Sequence, residues 1–272
     1  MVLVLLTRSL TGAKVLKISI CVPSYKRPKV ETLSYLPFAK VWVAESEYDE
    51  YKKANPNAEI VKVPDSVQGN LCRVRNYILD DQLVKHDYDV CVLLDDDYKG
   101  VYHWQGMKKY LVATGQFLPF IEENTRIADE WGTKFWGLNI NPDKQVYREY
   151  APFSTVSYIG GPFQAVMKDN PLRYDERLPL KEDYDFTLQN LNKYRKVVRL
   201  NSFFYVVKQA EQAGGCATYR NFEKEQSQLN LLQRKWGDSI IKIDKSDRSH
   251  NLKSKKAKID FNPVMNSPIK GI

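Results

Sequence analysis

The stretch Tyr88-Asp89-Val90-Cys91-Val92-Leu93-Leu94-Asp95-Asp96-Asp97 decides the fold. Val90 to Leu94 are five apolar residues in a row, too few to cross a membrane and enough for a strand buried on both faces. That strand runs into three consecutive carboxylates. Like charges at adjacent positions repel, so the triplet needs open solvent or a divalent cation. Mg²⁺ and Mn²⁺ suit the second case, because they take one or two protein carboxylates and complete their shell with water and substrate phosphates. In open α/β sheets ligands gather at the carboxyl ends of the strands. A solvated acidic turn is the plainer alternative.

Working towards the N-terminus, Val15 to Val22 is β-rich and ends in Pro23-Ser24-Tyr25-Lys26-Arg27-Pro28, a loop with a hydroxyl, an aromatic ring and two cations. A second strand is predicted over Val41 to Ala44, ending on Glu45-Ser46-Glu47 ahead of a helical segment to Tyr51. A third is predicted over Glu59 to Val63. After Gly69-Asn70 a helix places Leu71, Val74 and Ile78 on one face, with Arg73 and Arg75 in its first two turns. Strands and helices in alternation predict a largely parallel sheet. The loops Pro23–Arg27, Glu45–Glu47 and Asp95–Asp97 then share one edge. A helix start with nearby arginines adds donors and positive charge for an anion. Together these outline a nucleotide-phosphate site.

Towards the C-terminus, residues Met107 to Trp131 are predicted mostly helical, and Lys134 to Ile140 a strand. The turn Asn141-Pro142-Asp143 opens a predicted hairpin to Tyr158. Gly160-Gly161-Pro162 precedes a strand at Phe163 to Met167. A helix opening within Arg177 to Phe186 puts Leu180, Tyr184, Leu188 and Leu191 on one face. Its first turn carries Glu182, Asp183 and Asp185, where favourable interaction with the helix dipole is sufficient reason for acids. Two short strands are predicted in Val197 to Val207, a loop at Ala213-Gly214-Gly215, and a last helix from Arg220 to Trp236. No repeat or long linker divides the chain. The prediction is one α/β domain over 1–244, in two halves at about 15–105 and about 106–244. A basic tail follows at 245–272.

The 272 residues suffice for a sizeable core. Forty-one Lys and Arg against 33 Asp and Glu leave a net charge of +8, which favours polyanionic partners. Part of the excess lies in the tail, at Lys245, Arg248, Lys253, Lys255, Lys256 and Lys258. Cys21, Cys72, Cys91 and Cys216 lack CxxC or CxH spacing and read as reduced thiols of an intracellular protein, neither disulfides nor zinc ligands. Met1 to Leu6 is apolar but lacks a basic flank and a long hydrophobic region, so no signal peptide is predicted. No run is long enough for a transmembrane segment. The chain reads as soluble and cytoplasmic.

Four motifs, in order, carry a family resemblance. Ile18 to Arg27 (ISICVPSYKR) resembles the strand-and-loop opening of family-2-type glycosyltransferases with the GT-A fold. Gly69 to Asn76 (GNLCRVRN) resembles their glycine-to-Ala-Arg-Asn helix, and Leu94 to Asp97 their Asp-x-Asp strand end. Arg173 to Glu176, followed by Glu182 to Asp185, resembles their acceptor-side acids. The resemblance spans about residues 15–207. It implies a GT-A, Rossmann-like domain that transfers sugar from a nucleotide-sugar, with UDP-sugar first among donors, and uses Mn²⁺ or Mg²⁺. By the same resemblance Asp97, Asp95 and His250 are the metal ligands. Pro23, Ser24, Tyr25, Arg27, Glu45, Arg73, Arg75, Asp95 and Asp96 bind the donor. Asp183 is the catalytic base with Glu182 as its alternate, and one base opposite the leaving group implies inversion.

Two departures matter. Glu45 stands where the family usually has Asp, and the Gln-x-x-Arg-Trp element is missing after Asp185, which argues against processive polymer synthesis. The short basic chain is similar to phage-type TET-associated glycosyltransferases, which implies 5-hydroxymethylpyrimidine bases in DNA as acceptor. A target base would then be flipped out and stacked on aromatic rings, for which Trp104, Trp136, Phe153, Tyr158 and Phe163 are candidates. Two alternatives stay open: a cytosolic glycosyltransferase acting on a small or lipid-linked saccharide, and a non-catalytic DNA-binding module.

Overall fold

The computed structural model describes residues 14–144, 147–207, 214–243 and 261–269. The acid-tipped stretch forms strand β4 (Val90–Leu94), and all five residues are buried. It lies inside a large sheet with β1 (Ile18–Pro23), β2 (Lys40–Ala44), β3 (Glu59–Val63), β5 (Tyr98–Gln105), β6 (Lys108–Leu111), β7 (Phe135–Asn139), β8 (Phe153–Ser154), β9 (Phe163–Met167) and β10 (Val198–Val207). The order is β3-β2-β1-β4-β9-β7-β10-β5-β6, with β8 beside β10.

β3, β2, β1 and β4 pair in parallel. β9 runs antiparallel to β4 and β7, β7 and β10 are parallel, and β5 and β6 reverse twice more. Seven of the nine strands on that path therefore point the same way, with β9 and β5 opposed. The α/β class and the mostly parallel sheet hold, and the carboxyl ends of β1, β2, β4 and β7 share one edge.

Period-two alternation divides β4 between two cores. Val90, Val92 and Leu94 join a cluster with Phe117, Ile121 and Ala128 of α3 (Thr114–Glu130) and Tyr51 of α1 (Tyr48–Ala54). Cys91 and Leu93 face a second cluster with Val74 and Ile78 of α2 (Leu71–Leu79) and Phe186 and Leu191 of α4 (Glu182–Tyr194). A third cluster joins Leu188 of α4 to Leu229 and Leu232 of α5 (Phe222–Trp236).

Four expectations are corrected. Residues 107–111 are not helical: Gly106, at positive φ, turns a hairpin from β5 to β6, and α3 begins at Thr114. β7 makes no hairpin towards Tyr158, because β8 pairs with β10. Val198–Val207 is one strand whose register with β7 slips between Leu200 and Phe204. The stretch from 245 onward is not wholly a tail. Val264–Met265 (β12) pairs with Ile241–Lys242 (β11), and Phe261 is buried among the leucines of α4 and α5. The basic cluster 245–258 and His250 lie outside the described residues.

Candidate functional site

The acid triplet leaves β4 at the carboxyl edge, held by a residue the motifs did not mark. Thr32, fully buried, donates its hydroxyl to the Asp95 carbonyl at 2.6 Å and accepts the Tyr98 amide at 3.0 Å. Its own amide donates to the Asp96 carbonyl at 3.2 Å. The turn from β4 to β5 is thereby fixed from outside, and its three carboxylates meet different environments.

Asp96 is buried and points into the loop after β1. Ser24 Oγ donates to its Oδ2 at 2.6 Å, and the Arg27 guanidinium donates to Oδ1. Tyr51 OH bonds to Ser24 Oγ at 2.8 Å and accepts the Arg27 amide at 2.9 Å. Asp96 thus ties down the Pro23–Arg27 loop instead of facing a ligand. Half-buried Pro23 ends β1 at this edge, and Tyr25 lies half-exposed, with Lys26 Nζ 5.1 Å from its ring centre.

Asp95 leans the other way, to Arg75. Helix α2 begins here because Asn70 caps it, accepting the Cys72 and Arg73 amides. The expected anion site at that helix start is therefore taken by a side chain of the protein itself. Arg73 spends one Nη on the Gln68 carbonyl, while its buried Nε has no partner. Arg75, 1% exposed, is not at a phosphate-facing surface either. It donates to Gln164 Oε1 (3.1 Å), Glu182 Oε1 (3.2 Å), Asp95 Oδ1 (3.3 Å) and the Gly161 carbonyl (3.0 Å). Burial opposes its charge, but Tyr174, Glu182, Asp95 and Asp183 outweigh that, so it is held firmly cationic.

Arg75 is the hinge between the two acidic groups. It pairs with Asp95 of the triplet on one side and with Glu182, at the start of α4, on the other. Removing it would leave Asp95 without its counter-charge and the buried Glu182, Gln164 and Gly161 carbonyl without their donor, which typically costs a few kcal/mol. Arg75→Met should lower the melting temperature by many degrees, and a double variant with Glu182→Gln should recover part of the loss. Additive losses in the double variant would show that the pair is not coupled.

Glu182 and Asp183 differ. Burial and the neighbouring Asp183 charge push Glu182 up to about 8, despite Arg75. Buried against Arg75 and holding its proton near neutral pH, it is poorly placed as alternate base. Asp183 is partly exposed. Its Oδ2 accepts from Tyr158 OH and from the Gly161 amide at 3.2 Å, and its Oδ1 from the Tyr184 amide at 2.9 Å. Of about four lone-pair positions on a carboxylate, one stays open. The Tyr158 ring is stacked on Tyr184 at 4.3 Å. Gly161 permits this approach: a Cβ there would lie 3.3 Å from Glu182 Oε1 and 3.4 Å from Asp183 Oδ2.

Asp97 is the carboxylate without a counter-charge. Asp95 has Arg75 and Asp96 has Arg27, whereas no ion pair reaches Asp97 among the described residues. Burial, with the charges of Asp95 and Asp96, pushes it up to about 7. Among the described residues no three His, Cys, Asp or Glu side chains are grouped to hold a metal by themselves. Two carboxylates, Asp97 and the outer side of Asp95, suit an ion whose other ligands are water and phosphate.

Glu45 is exposed at the end of β2 with Lys62 Nζ 3.8 Å away. The acids of the earlier motif serve packing. Asp175 is held by Arg177 and Lys235, and Arg173 pairs with Asp80. Asp185, fully buried, accepts from Trp236 Nε1 at 2.8 Å and pairs with Lys235, fastening α4 to α5. Of the proposed stacking wall, Trp136 and Phe163 are fully buried core residues and are withdrawn. Phe153 packs edge-on against Trp131, and Trp104 donates to the Pro142 carbonyl.

The loop predicted at Ala213-Gly214-Gly215 has a contact the sequence does not announce. Gly214-Gly215 brings the late chain back over the donor loop: the Gly215 amide donates to the Tyr25 carbonyl at 2.7 Å. Gly214 sits at φ +93°, where a Cβ would lie 2.5 Å from the Lys26 carbonyl oxygen. Arg27, which holds Asp96, also reaches the Gly214 carbonyl at 3.5 Å, so this strap lies against the triplet's own network.

Comparison with known proteins adds the following. The family model of the TET-Associated Glycosyltransferase matches residues 38–215. No curated protein sequence matches the chain. Among solved structures, S. aureus TarS 1-349 is similar at 15% identity and TM-score 0.45, over 81% of this chain and 65% of that one. The chain thus spans less than two thirds of that TarS structure. Glucosyl-3-phosphoglycerate synthase from Mycobacterium tuberculosis, in complex with Mg²⁺ and UDP, is similar at 12% identity and TM-score 0.49, over 84% and 83%. A197 from STIV is similar at 14% and 0.40, over 72% and 88%. Likeness at that level leaves the site to this chain's own residues.

Proposed function

Since the chain belongs to the TET-associated glycosyltransferase family, we propose that it transfers a sugar from a UDP-sugar to the hydroxyl of 5-hydroxymethylpyrimidine bases in DNA, with inversion. Its standing as a glycosyltransferase rests on the family. The donor, acceptor and stereochemistry are the proposal. One observation supports the reading: Arg75 pairs with Asp95 of the triplet and with Glu182 at the start of α4, and Asp97 and Asp183 stand within two residues of those acids in the chain. No helix among the described residues is long and apolar enough to cross a membrane.

The donor would lie along the Pro23–Arg27 loop, Tyr25 offering a ring and the Ser24–Asp96–Arg27 network keeping the loop rigid. Asp97 and Asp95 would hold Mn²⁺ or Mg²⁺, which when bound supplies positive charge to the departing diphosphate. Asp183 accepts the proton of the acceptor hydroxyl, a poor nucleophile at neutral pH without a base in hydrogen-bond reach. The bonds from Tyr158 and Gly161 hold Oδ2, which leaves the open position on Oδ1. Glu45 would border the donor edge as the exposed acid after β2.

The test is thermal shift with UDP-, GDP- and CDP-sugars, with and without Mn²⁺. A ligand at 100 times its Kd adds about 2.7 kcal/mol, so a UDP-sugar should raise the melting temperature by several degrees, and only with the metal. Equal shifts for all three, or none with any nucleotide-sugar, would remove the donor assignment.

A further inference from the structure

Beside the carboxylates the chain has an open cavity of about 330 Å³, lined by Asn139, Ile140, Asn141, Arg148, Ala151, Arg199 and Asn201. It contains two arginines, three asparagines and no acid. It opens where the register of β10 against β7 slips after Leu200, so Asn201 lies in the irregular stretch.

Arg199 is the centre of it. Its Nε and Nη2 both donate to Asn201 Oδ1, at 3.1 and 3.0 Å, and its Nη1 reaches the Tyr158 carbonyl at 3.5 Å. A guanidinium has five N–H donors, so two remain. Among the described residues no carboxylate lies within ion-pair distance of it, and it is half-buried. Burial lowers its affinity for a proton, the mark of a cation without its anion. Arg148 stands exposed on the rim.

The cavity adjoins the proposed base. Arg199 touches the carbonyl of Tyr158, whose hydroxyl donates to Asp183. On the same wall Ile140 approaches Gly160 so closely that a Cβ there would lie 2.7 Å from its Cγ2. The next residue, Gly161, donates to Asp183. One layer of backbone, Gly160-Gly161, separates cavity from base.

We infer that this cavity is a phosphate subsite, in which Arg199 and Arg148 take a backbone phosphodiester of the nucleic acid whose base hydroxyl is presented to Asp183. This deepens the acceptor reading above and rests on it for the identity of the ligand. A guanidinium fork matches phosphate oxygens in pairs, and asparagine amides add neutral donors. A phosphate anchored one layer from the base would position an extruded nucleotide, and a free nucleoside would lack that anchor.

Two measurements on the full chain test it together. The first is anisotropy with a labelled, unmodified duplex oligonucleotide across a salt series. Arg199→Gln and Arg148→Gln should each weaken binding about tenfold and reduce the slope of log affinity against log salt by about one. Arg199→Lys should restore part of the affinity. Arg148, on an exposed rim, guards against a folding defect at Arg199. The second compares transfer to a hydroxymethylated oligonucleotide and to the corresponding free nucleoside. Each Gln variant should raise KM for the oligonucleotide about tenfold and reduce the wild-type preference for it. Wild-type affinity and salt slope in both Gln variants would overturn the subsite. So would equal loss on both acceptors. Weakened binding in the variants, with no transfer by the wild type to either acceptor, would support the phosphate site while removing the DNA-base acceptor.

Discussion

Asp97→Asn, or EDTA added to the unaltered protein, should lower sugar transfer by roughly 10²–10³-fold or more, the share usually carried by charge stabilisation at a leaving group. The reason is local. Three carboxylates leave β4 together, and among the described residues only Asp95 and Asp96 pair with an arginine. On the proposed reading, Asp97 holds positive charge from outside the chain. Stability should move the other way. Its folded value is about 7 against an ordinary 3.8. The stability associated with that raised value is present below about pH 4 and is lost as pH rises through about 7. In EDTA at pH 8, then, Asp97→Asn should melt no lower than the wild type while remaining inactive. Full turnover of the wild type in EDTA would remove the metal from the account.

Asp183→Asn should reduce the single-turnover rate by roughly 10²–10⁴-fold, the usual contribution of a positioned general base. Donor affinity should hardly change, because Asp183 is held by Tyr158, Gly161 and Tyr184 on the α4 side of Arg75. Glu182→Gln discriminates between the neighbouring acids. Glu182 is buried and protonated near neutral pH, so its loss should act through Arg75, on stability first. If Asp183→Asn instead abolishes donor binding and leaves the single-turnover rate intact, Asp183 belongs to the donor side.

Much of this was legible in the chain because short-range rules governed it. The apolar run Val90–Leu94 is a strand buried on both faces, and Glu59–Val63 and Phe163–Met167 fall where pattern and breakers predict. Other features depended on partners distant in sequence. Nothing near Asp96 announces that Ser24 and Arg27 occupy it, nor near Arg75 that four acceptors surround it. The predicted helix over Met107 to Trp131 starts too early, because residues 107–111 form a hairpin in which Met107, Tyr110 and Leu111 are exposed. Trp136 and Phe163 share the half of the chain that supplies Asp183, but the sheet puts both in the core. Thr32 carries no motif, and the strap at Gly214-Gly215 left only its glycine pair as a signal.

The most direct measurement of the central claim is mass analysis of nucleosides after reaction. The full chain with Mn²⁺ is offered UDP-sugars together with hydroxymethylcytosine, hydroxymethyluracil or unmodified DNA, and the DNA is then digested. The account predicts an added sugar mass on a hydroxymethylated nucleoside, absent with unmodified DNA, with EDTA and with Asp183→Asn. Unchanged nucleosides with every donor, alongside transfer to a free saccharide or a lipid carrier, would contradict it.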